Sequence, residues 1–411
     1  MISRLREIAS LFFKLGVIGF GGPAVHIANL EHETVERRKW LSRQEFLDLV
    51  GATNLIPGPN STEMAMHIGM LRGGILGLIL AGFCFVTPAI AITTLFAWLY
   101  VEYGPGQYPQ ATTLLFGIKP AVLAIILVAG WRLGRKAIKH WRLAVIALGV
   151  AAASFHPEIT EIVALAVGGL LGVIWLSLAS GSSGGKAAAA TLFAWFGLRP
   201  QLARAAELPL LLAATSASAP VSIPLWQLGL FFLKVGAVLY GSGYVLIAYL
   251  EGGLVHDMEL LTQSELLDAI AVGQFTPGPI LSTAAFVGYV VMGGDGDVLQ
   301  GVLGAATAGT AIFLPSFVFV SILHPIVPRL RKRPLTAAFL DSVNAASIGL
   351  LAAVGLKLLA ATLIDAEDGV TVEWRGVIIA LVSLAVLLRW KVSSVWIVLG
   401  GAAAGWLLAS V

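Results

Sequence analysis

Leu55-Ile56-Pro57-Gly58-Pro59-Asn60-Ser61-Thr62 lies in the middle of one apolar segment, and its echo Phe275-Thr276-Pro277-Gly278-Pro279-Ile280-Leu281-Ser282 lies in the middle of another. Proline removes a backbone donor and glycine frees the chain to turn, so a continuous helix cannot pass through either stretch. In lipid every backbone polar group needs a partner. A break at bilayer depth is therefore tolerated only where it is buried in protein or lines an aqueous cavity. Each Pro-Gly-Pro is thus a candidate binding site.

The echo extends well beyond the prolines. An offset of 220 carries Lys14 to Thr62 onto Lys234 to Ser282 without a gap, with 16 identities in 49 pairs, including Gly16/Gly236, Glu31/Glu251, Glu45/Glu265 and Asp48/Asp268. The register resumes further on, pairing Phe85-Val86-Thr87-Pro88 with Ile312-Phe313-Leu314-Pro315 and Gly130-Trp131-Arg132 with Gly355-Leu356-Lys357. This is a duplication. The expected organisation is a first transmembrane repeat at 1–179, a linker at 180–224 with room for one extra crossing or an interfacial helix, and a second repeat at 225–411.

Apolar residues make up 58% of the chain and charged residues 12%, about half the usual share for a soluble domain, and the mean hydropathy is +0.89. That composition reads as an integral membrane protein. Long runs such as Ile75 to Tyr100 and Val298 to Leu323 suit helices, and no alternating barrel strands are seen. The expected place is an inner (plasma) membrane, crossed several times. Lys and Arg fall in short loops rather than on a basic stripe, which argues against nucleic acid as a partner. Cys84 reads as a small core residue, and no cysteine or histidine cluster has metal-ligand spacing, so neither a metal nor a cofactor is expected. Arg4 and Arg6 before an apolar run faintly resemble a signal peptide, but Lys14 repeats as Lys234, so this stretch is read as the first structural element.

Apolar segments run over 8–30, 46–71, 73–101, 112–131, 143–154 and 160–178, and again over 226–250, 266–291, 298–323, 336–363, 376–388 and 392–410. Basic loops mark the cytoplasmic side. The loops Arg37–Lys39 and Arg132–Arg142 are basic in the first half, whereas the loop matching the second of these, Asp365–Glu373, is acidic. The uncharged-to-acidic loop Glu102–Gln110 is matched by the basic His324–Pro334. The swapped bias predicts an all-α polytopic membrane protein whose halves form an inverted-topology repeat with broken or re-entrant helices. A parallel repeat with an uninformative charge pattern is the alternative. Ser42-x-x-Glu45 and Thr262-x-x-Glu265 are capping boxes that open the segment before each Pro-Gly-Pro. Glu45 and Glu265 therefore read as caps rather than proton carriers.

With Gly58 as cap and Pro59 at the first helical position, the N–H groups of Asn60, Ser61 and Thr62 lack intrahelical acceptors at the positive end of a helix dipole. With the Ser61 and Thr62 hydroxyls they form a nest for an anion. The copy offers the N–H groups of Ile280, Leu281 and Ser282 with the Ser282 and Thr283 hydroxyls. The plain reading is a pair of packing kinks. Glycine clusters at Gly16-x-x-Gly19-Phe20-Gly21-Gly22 and Gly236-x-x-x-x-Gly241-Ser242-Gly243 interrupt the first segment of each half, for helix packing or for ligand binding. Lys14 and Lys234 sit in apolar segments, where they either snorkel to the interface or meet a substrate. Lys119, aligned with Asn344, is the most deeply placed charge of the first half. Glu63 and His67 share one helix face and could relay protons, but their copies are Thr283 and Val287, so that role would belong to one half. Ser61 or Ser282 with His67 can be imagined as an enzymatic dyad. No catalytic motif stands above background and no P-loop is present, so a secondary transporter rather than an enzyme or a pump is expected.

At these residues the chain resembles the chromate ion transporter family. The resemblance lies in Phe13-Lys14-Leu15-Gly16, Phe20-Gly21-Gly22-Pro23, Arg38-Lys39-Trp40-Leu41, Leu55 to Asn60, Gln274-Phe275-Thr276-Pro277-Gly278-Pro279, Gly288-Tyr289 and Phe313-Leu314-Pro315-Ser316-Phe317, in both halves of the chain. It implies export of chromate from the cytoplasm, with sulfate as a competing tetrahedral dianion or, alternatively, as the substrate of an uptake carrier or exchanger. The substrate-binding set it suggests joins Lys14, Gly21, Gly22, Pro57, Gly58, Pro59, Asn60, Ser61 and Thr62 to Lys234, Gly241, Gly243, Gln274, Pro277, Gly278, Pro279, Ser282, Thr283 and Asn344. The chain departs from the family pattern at Asn54, Ser242 and Ser342. A homodimer is only the commonest default, and coupling ion and direction are not readable.

Overall fold

In a computed structural model the described residues are almost entirely helical, with one two-residue antiparallel ladder among them pairing Ile364–Asp365 with Thr371–Val372. The structure describes residues 2–20, 23–105, 108–156, 158–179, 223–294, 296–324, 334–365, 371–390 and 392–409. The expected linker, with its extra crossing, lies outside the described residues.

The first half runs α1 (Ile2–Ile18), α2 (Pro23–Glu31) ending in a π-helical turn (His32–Arg37), α3 (Arg43–Thr53), α4 (Asn60–Tyr103), α5 (Pro109–Ala137), α6 (Trp141–Ala153) and α7 (Glu161–Ala179). The second half runs α8 (Leu225–Val238), α9 (Leu246–Leu250) ending in a π-helical turn (Glu251–Asp257), and α10 (Gln263–Phe275). It continues with α11 (Thr283–Gly293), α12 (Val298–Ala311), α13 (Leu314–Leu323), α14 (Pro334–Leu363), α15 (Trp374–Arg389) and α16 (Ser394–Ala409). Among the described residues four stretches are long and apolar enough to cross a membrane, namely Asn60–Tyr103, Ala111–Ala137, Val298–Leu323 and Thr336–Leu363. The chain is a polytopic membrane protein.

Large apolar side chains face outward on these helices, among them Leu76, Ile79, Phe83, Trp131, Leu299, Ile322 and Leu381. On a water-soluble protein such a surface would aggregate; against lipid it is the favourable one. The interior holds the polar groups instead, with Thr62, Glu63, His67, Thr93, Asp268 and Ser316 almost wholly buried.

The duplication is visible in the packing. Phe12 and Phe232, 220 residues apart, are both fully buried. A Cβ on Gly16 would meet the Phe85 carbonyl, and one on Gly236 would meet the Ile312 carbonyl, so the same close helix approach is built twice. Both expected capping boxes form: Ser42 Oγ accepts from Glu45 N–H at 3.2 Å and Thr262 Oγ1 from Glu265 N–H at 3.1 Å, while each glutamate accepts from its cap backbone. Within α4 the backbone leaves helical geometry at Gly73 and Gly74, where the reading of separate segments at 46–71 and 73–101 puts the boundary. Past the corner of the second half the chain doubles back, because a Cβ on Gly273 of α10 would meet the hydroxyl of Thr283 at the start of α11. Ten residues in one straight helix would span about 15 Å. The chain therefore turns sharply at this corner, and no continuous helix passes through it.

Candidate functional site: the two proline corners

Each Pro-Gly-Pro turns with its glycine in the left-handed region, φ +137° at Gly58 and +101° at Gly278. A side chain has no room at either place: at Gly58 it would meet the Ser316 hydroxyl and the Glu63 carboxylate, at Gly278 the Ala89 methyl. Pro59 is the cap of α4 and Asn60 its first residue, which corrects the expectation of Gly58 as cap with Pro59 inside the helix. The correction follows from Gly58 itself. Its N–H leaves the helix and donates to the Leu239 carbonyl in the other half, at 2.7 Å.

The copy does the same in return: Gly278 N–H donates to the Gly19 carbonyl at 2.7 Å. Since 19 and 239 are equivalent positions, each corner is plugged into the break in the first helix of the opposite half. Two of the expected free donors are satisfied, because Thr62 N–H donates to the Pro59 carbonyl and Ser282 N–H to the Pro279 carbonyl, both at 2.9 Å. A tightened first turn closes them.

Around the second corner, Pro23, Tyr244, Gly273, Gln274, Thr276, Gly278 and Ile280 line a cavity of about 10 Å³. It has room for roughly one water and is too small for a tetrahedral oxyanion. In its wall the Tyr244 hydroxyl donates to Gln274 Oε1 at 3.3 Å, and elsewhere at this corner the Thr93 hydroxyl reaches Ser282 Oγ at 3.3 Å. His26 Nε2 donates to the Gly278 carbonyl at 3.1 Å. Three buried donors close to the corners lack a partner, Thr62 Oγ1, Gln274 Nε2 and Thr283 Oγ1. Leaving such a group dry costs about 1 to 3 kcal/mol, so these three stand ready for an acceptor. His26 escaped the sequence reading because its counterpart is Leu246 and a lone histidine carries no pattern.

The remaining expected residues are distributed unevenly. Gly241, at φ +95°, packs on α14, where Asn344 Oδ1 lies 3.6 Å from the place of its missing Cβ. Gly243 packs against Ile280 and Leu281. The Asn60 side chain donates to Asn54 Oδ1 at 3.0 Å, and Ser61 is buried. Gly21 and Gly22 lie outside the described residues. Lys234 is exposed on α8. Lys14 is half-exposed and pairs with Glu33 at 2.9 Å, in a charged cluster with Arg37 and Arg38 beyond the end of α2. Burial works against the Glu33 carboxylate, but the Lys14 hydrogen bond and the charges of Arg38, Lys14 and Arg37 outweigh it and hold its pKa below the usual range. The imagined serine dyad is not formed by these contacts: His67 Nδ1 meets His324 Nδ1 at 2.8 Å, and Ser282 meets Thr93. Among the described residues no group of histidines, cysteines and carboxylates could hold a metal.

Comparison with known proteins decides what kind of molecule carries these corners. The family described as Chromate transporter matches residues 6–173 and 226–406, both halves of the chain. The chain belongs to the chromate transporter family. A chromate transport protein of Cupriavidus metallidurans is 30% identical, over 97% of this chain and 92% of that protein. A probable chromate transport protein of Synechococcus elongatus is 31% identical over 85% of this chain and 83% of its own length, and a chromate transport protein of Pseudomonas aeruginosa is 28% identical over 98% and 92%. No solved structure matches the chain. The resemblance drawn from the motifs is borne out, and chromate transport is the family's business.

Proposed function

We propose that this chromate transporter is a secondary carrier that exports chromate across the cytoplasmic (inner) membrane by alternating access. The observation that carries the reading is the reciprocal plugging of the corners, Gly58 N–H to Leu239 and Gly278 N–H to Gly19, beside buried donors that have no acceptor. A tetrahedral dianion needs several converging N–H and O–H groups to replace its water shell. The bare N–H groups of Asn60, Ser61, Ile280 and Leu281, with Thr62, Gln274 and Thr283, are of that kind. The small cavity belongs to a closed arrangement, so rocking of the halves, 1–179 and 225–411, opens the site to one side and then the other. The swapped loop charges support reading the halves as an inverted repeat, the architecture in which such rocking is common. Moving a dianion outward is favoured by an inside-negative potential, at about 2.3 kcal/mol per charge per 100 mV.

Counterflow in proteoliposomes tests this. Vesicles preloaded with unlabelled chromate are expected to accumulate labelled chromate through the purified protein, sulfate is expected to compete, and neutral solutes of similar size are expected not to move. Equal passage of neutral solutes would remove the oxyanion reading.

A further inference from the structure

The corners are alike in backbone and unlike in chemistry. Against Gly278 stands Ala89, and against Gly58 stand Ser316, the counterpart of Ala89, and Glu63; on the helices that follow, Thr283 and Val287 take the places of Glu63 and His67. The Gly278 corner carries hydroxyls, an amide and the His26 imidazole, which donates to the Gly278 carbonyl, but no carboxylate; the Gly58 corner sets the Glu63 carboxylate against its glycine. Glu63 is wholly buried in the first turn of α4. Its Oε1 accepts a single hydrogen bond, from the Ser316 hydroxyl at 3.3 Å, and its Oε2 has no partner. Neither a lysine nor an arginine pairs with it among the described residues. Tyr240, next to Leu239 whose carbonyl accepts from Gly58 N–H, is a titratable group on the facing element. One turn along the same face, His67 is also wholly buried, with Nδ1 held 2.8 Å from His324 Nδ1 and Nε2 bare. That contact between two ring nitrogens requires one proton between them. His324 caps the end of α13 and is only half-buried.

The geometry points to Glu63 as a proton-binding site, linked through His67 and His324 to one face of the membrane, whose occupancy is tied to that of the oxyanion. The inference rests on the oxyanion reading of the corners. A carboxylate buried without a cation is costly, and one proton on Oε2 makes it a neutral acid. A dianion entering beside the corners is repelled by the carboxylate and not by the acid. Proton and oxyanion therefore bind together, each raising the other's affinity by the same factor. The proton leaves when the oxyanion does, through a chain of imidazoles that can accept on one nitrogen and donate from the other. The moved charge then falls from that of a dianion to that of a monoanion. Coupling resides in one half only, which explains why the duplicated chain has kept its backbone symmetry at the corners and lost it in these side chains.

The test uses the full chain in liposomes that enclose a pH-sensitive dye, with chromate as probe at alkaline pH, where it is wholly dianionic. The expected result is one proton moved in the same direction with each chromate, and an apparent affinity that weakens about tenfold per unit of rising pH. Glu63→Gln, an isosteric mimic of the acid, is expected to move chromate without protons and with an affinity that no longer depends on pH. Ser316→Ala removes the one hydrogen bond that favours the ionised form, so its affinity profile shifts to higher pH. Chromate moving without protons in the parent protein, or an unchanged pH slope in Glu63→Gln, overturns the proposal. Infrared difference spectra of the anion-free protein separate the two layers. An acid carbonyl band that titrates with pH and is lost in Glu63→Gln upholds the proton site even if chromate does not move; no such band at any pH refutes it even if chromate does.

Discussion

Gly58 and Gly278 each combine a left-handed φ with a close approach that leaves no room for a methyl group. Alanine there meets two penalties, the conformational one alone costing about 1 to 2 kcal/mol. Gly58→Ala and Gly278→Ala are therefore expected to lower the unfolding temperature in detergent more than Gly149→Ala, where nothing stands near the missing Cβ. The prolines and glycines of the corners were legible because a backbone rule governs them. The partners were not. His26 touches Gly278 from 252 residues away, and His67 meets His324 from 257 away, distances over which no periodicity carries information. Gln274 and Thr283 belong to the site reading for a second reason: their orphaned donors should gain an anionic acceptor. A hydrogen bond to a charged group is worth about 1.5 to 3 kcal/mol, so Gln274→Leu or Thr283→Val should weaken chromate binding roughly tenfold to a hundredfold in equilibrium titration.

At the scale of the element, the capping boxes were read correctly because their signal is local, four residues long. Ser42→Ala or Thr262→Ala is expected to cost about 1 kcal/mol each in reversible unfolding. The helix before each corner then starts at a fixed residue, which sets where the corner falls. The cluster beyond α2 was only half legible: Arg37 and Arg38 were read as a basic loop signal, whereas the structure gathers them with Lys14 on the buried Glu33. Its pKa is depressed, so the stability it contributes is complete above the ordinary value of 4.5 and is lost as the pH falls through the lower folded-state value. Acid unfolding of Glu33→Gln should accordingly be less steep than that of the parent protein between pH 4.5 and the acid limb. The shift of Pro59 from first helical position to cap is a matter of one residue, and it goes with the Gly58 N–H finding its acceptor in the other half.

Over the whole molecule, the two halves hold each other at their most irregular points. Besides the reciprocal corner bonds, Lys119 of α5 lies 3.7 Å from Asp268 of α10, and the Tyr100 hydroxyl of α4 donates to the same carboxylate at 2.9 Å. Asp268 is 1% exposed, and its removal leaves the Tyr100 hydroxyl without its acceptor and Lys119 with Ser264 alone. Asp268→Ala should therefore cost about 1 to 3 kcal/mol, and Asp268→Asn, which keeps an acceptor for Tyr100, distinctly less, as read from thermal unfolding. Duplication, membrane class and family could all be read from the sequence because each is written many times over, in 16 repeated identities and in long apolar runs. The way the halves exchange corners could not, since it depends on which carbonyl a single displaced N–H finds.

The account depends most on one point, that the bare donors at the corners take up the chromate dianion. Initial rates of chromate counterflow in proteoliposomes, compared between the parent protein and a Gln274→Leu/Thr283→Val double variant of equal thermal stability, test it directly. The account predicts a loss of tenfold or more in apparent affinity, by about the worth of one charged hydrogen bond or more. Rates and affinity indistinguishable from the parent would show that the corners are structural kinks and that chromate passes elsewhere.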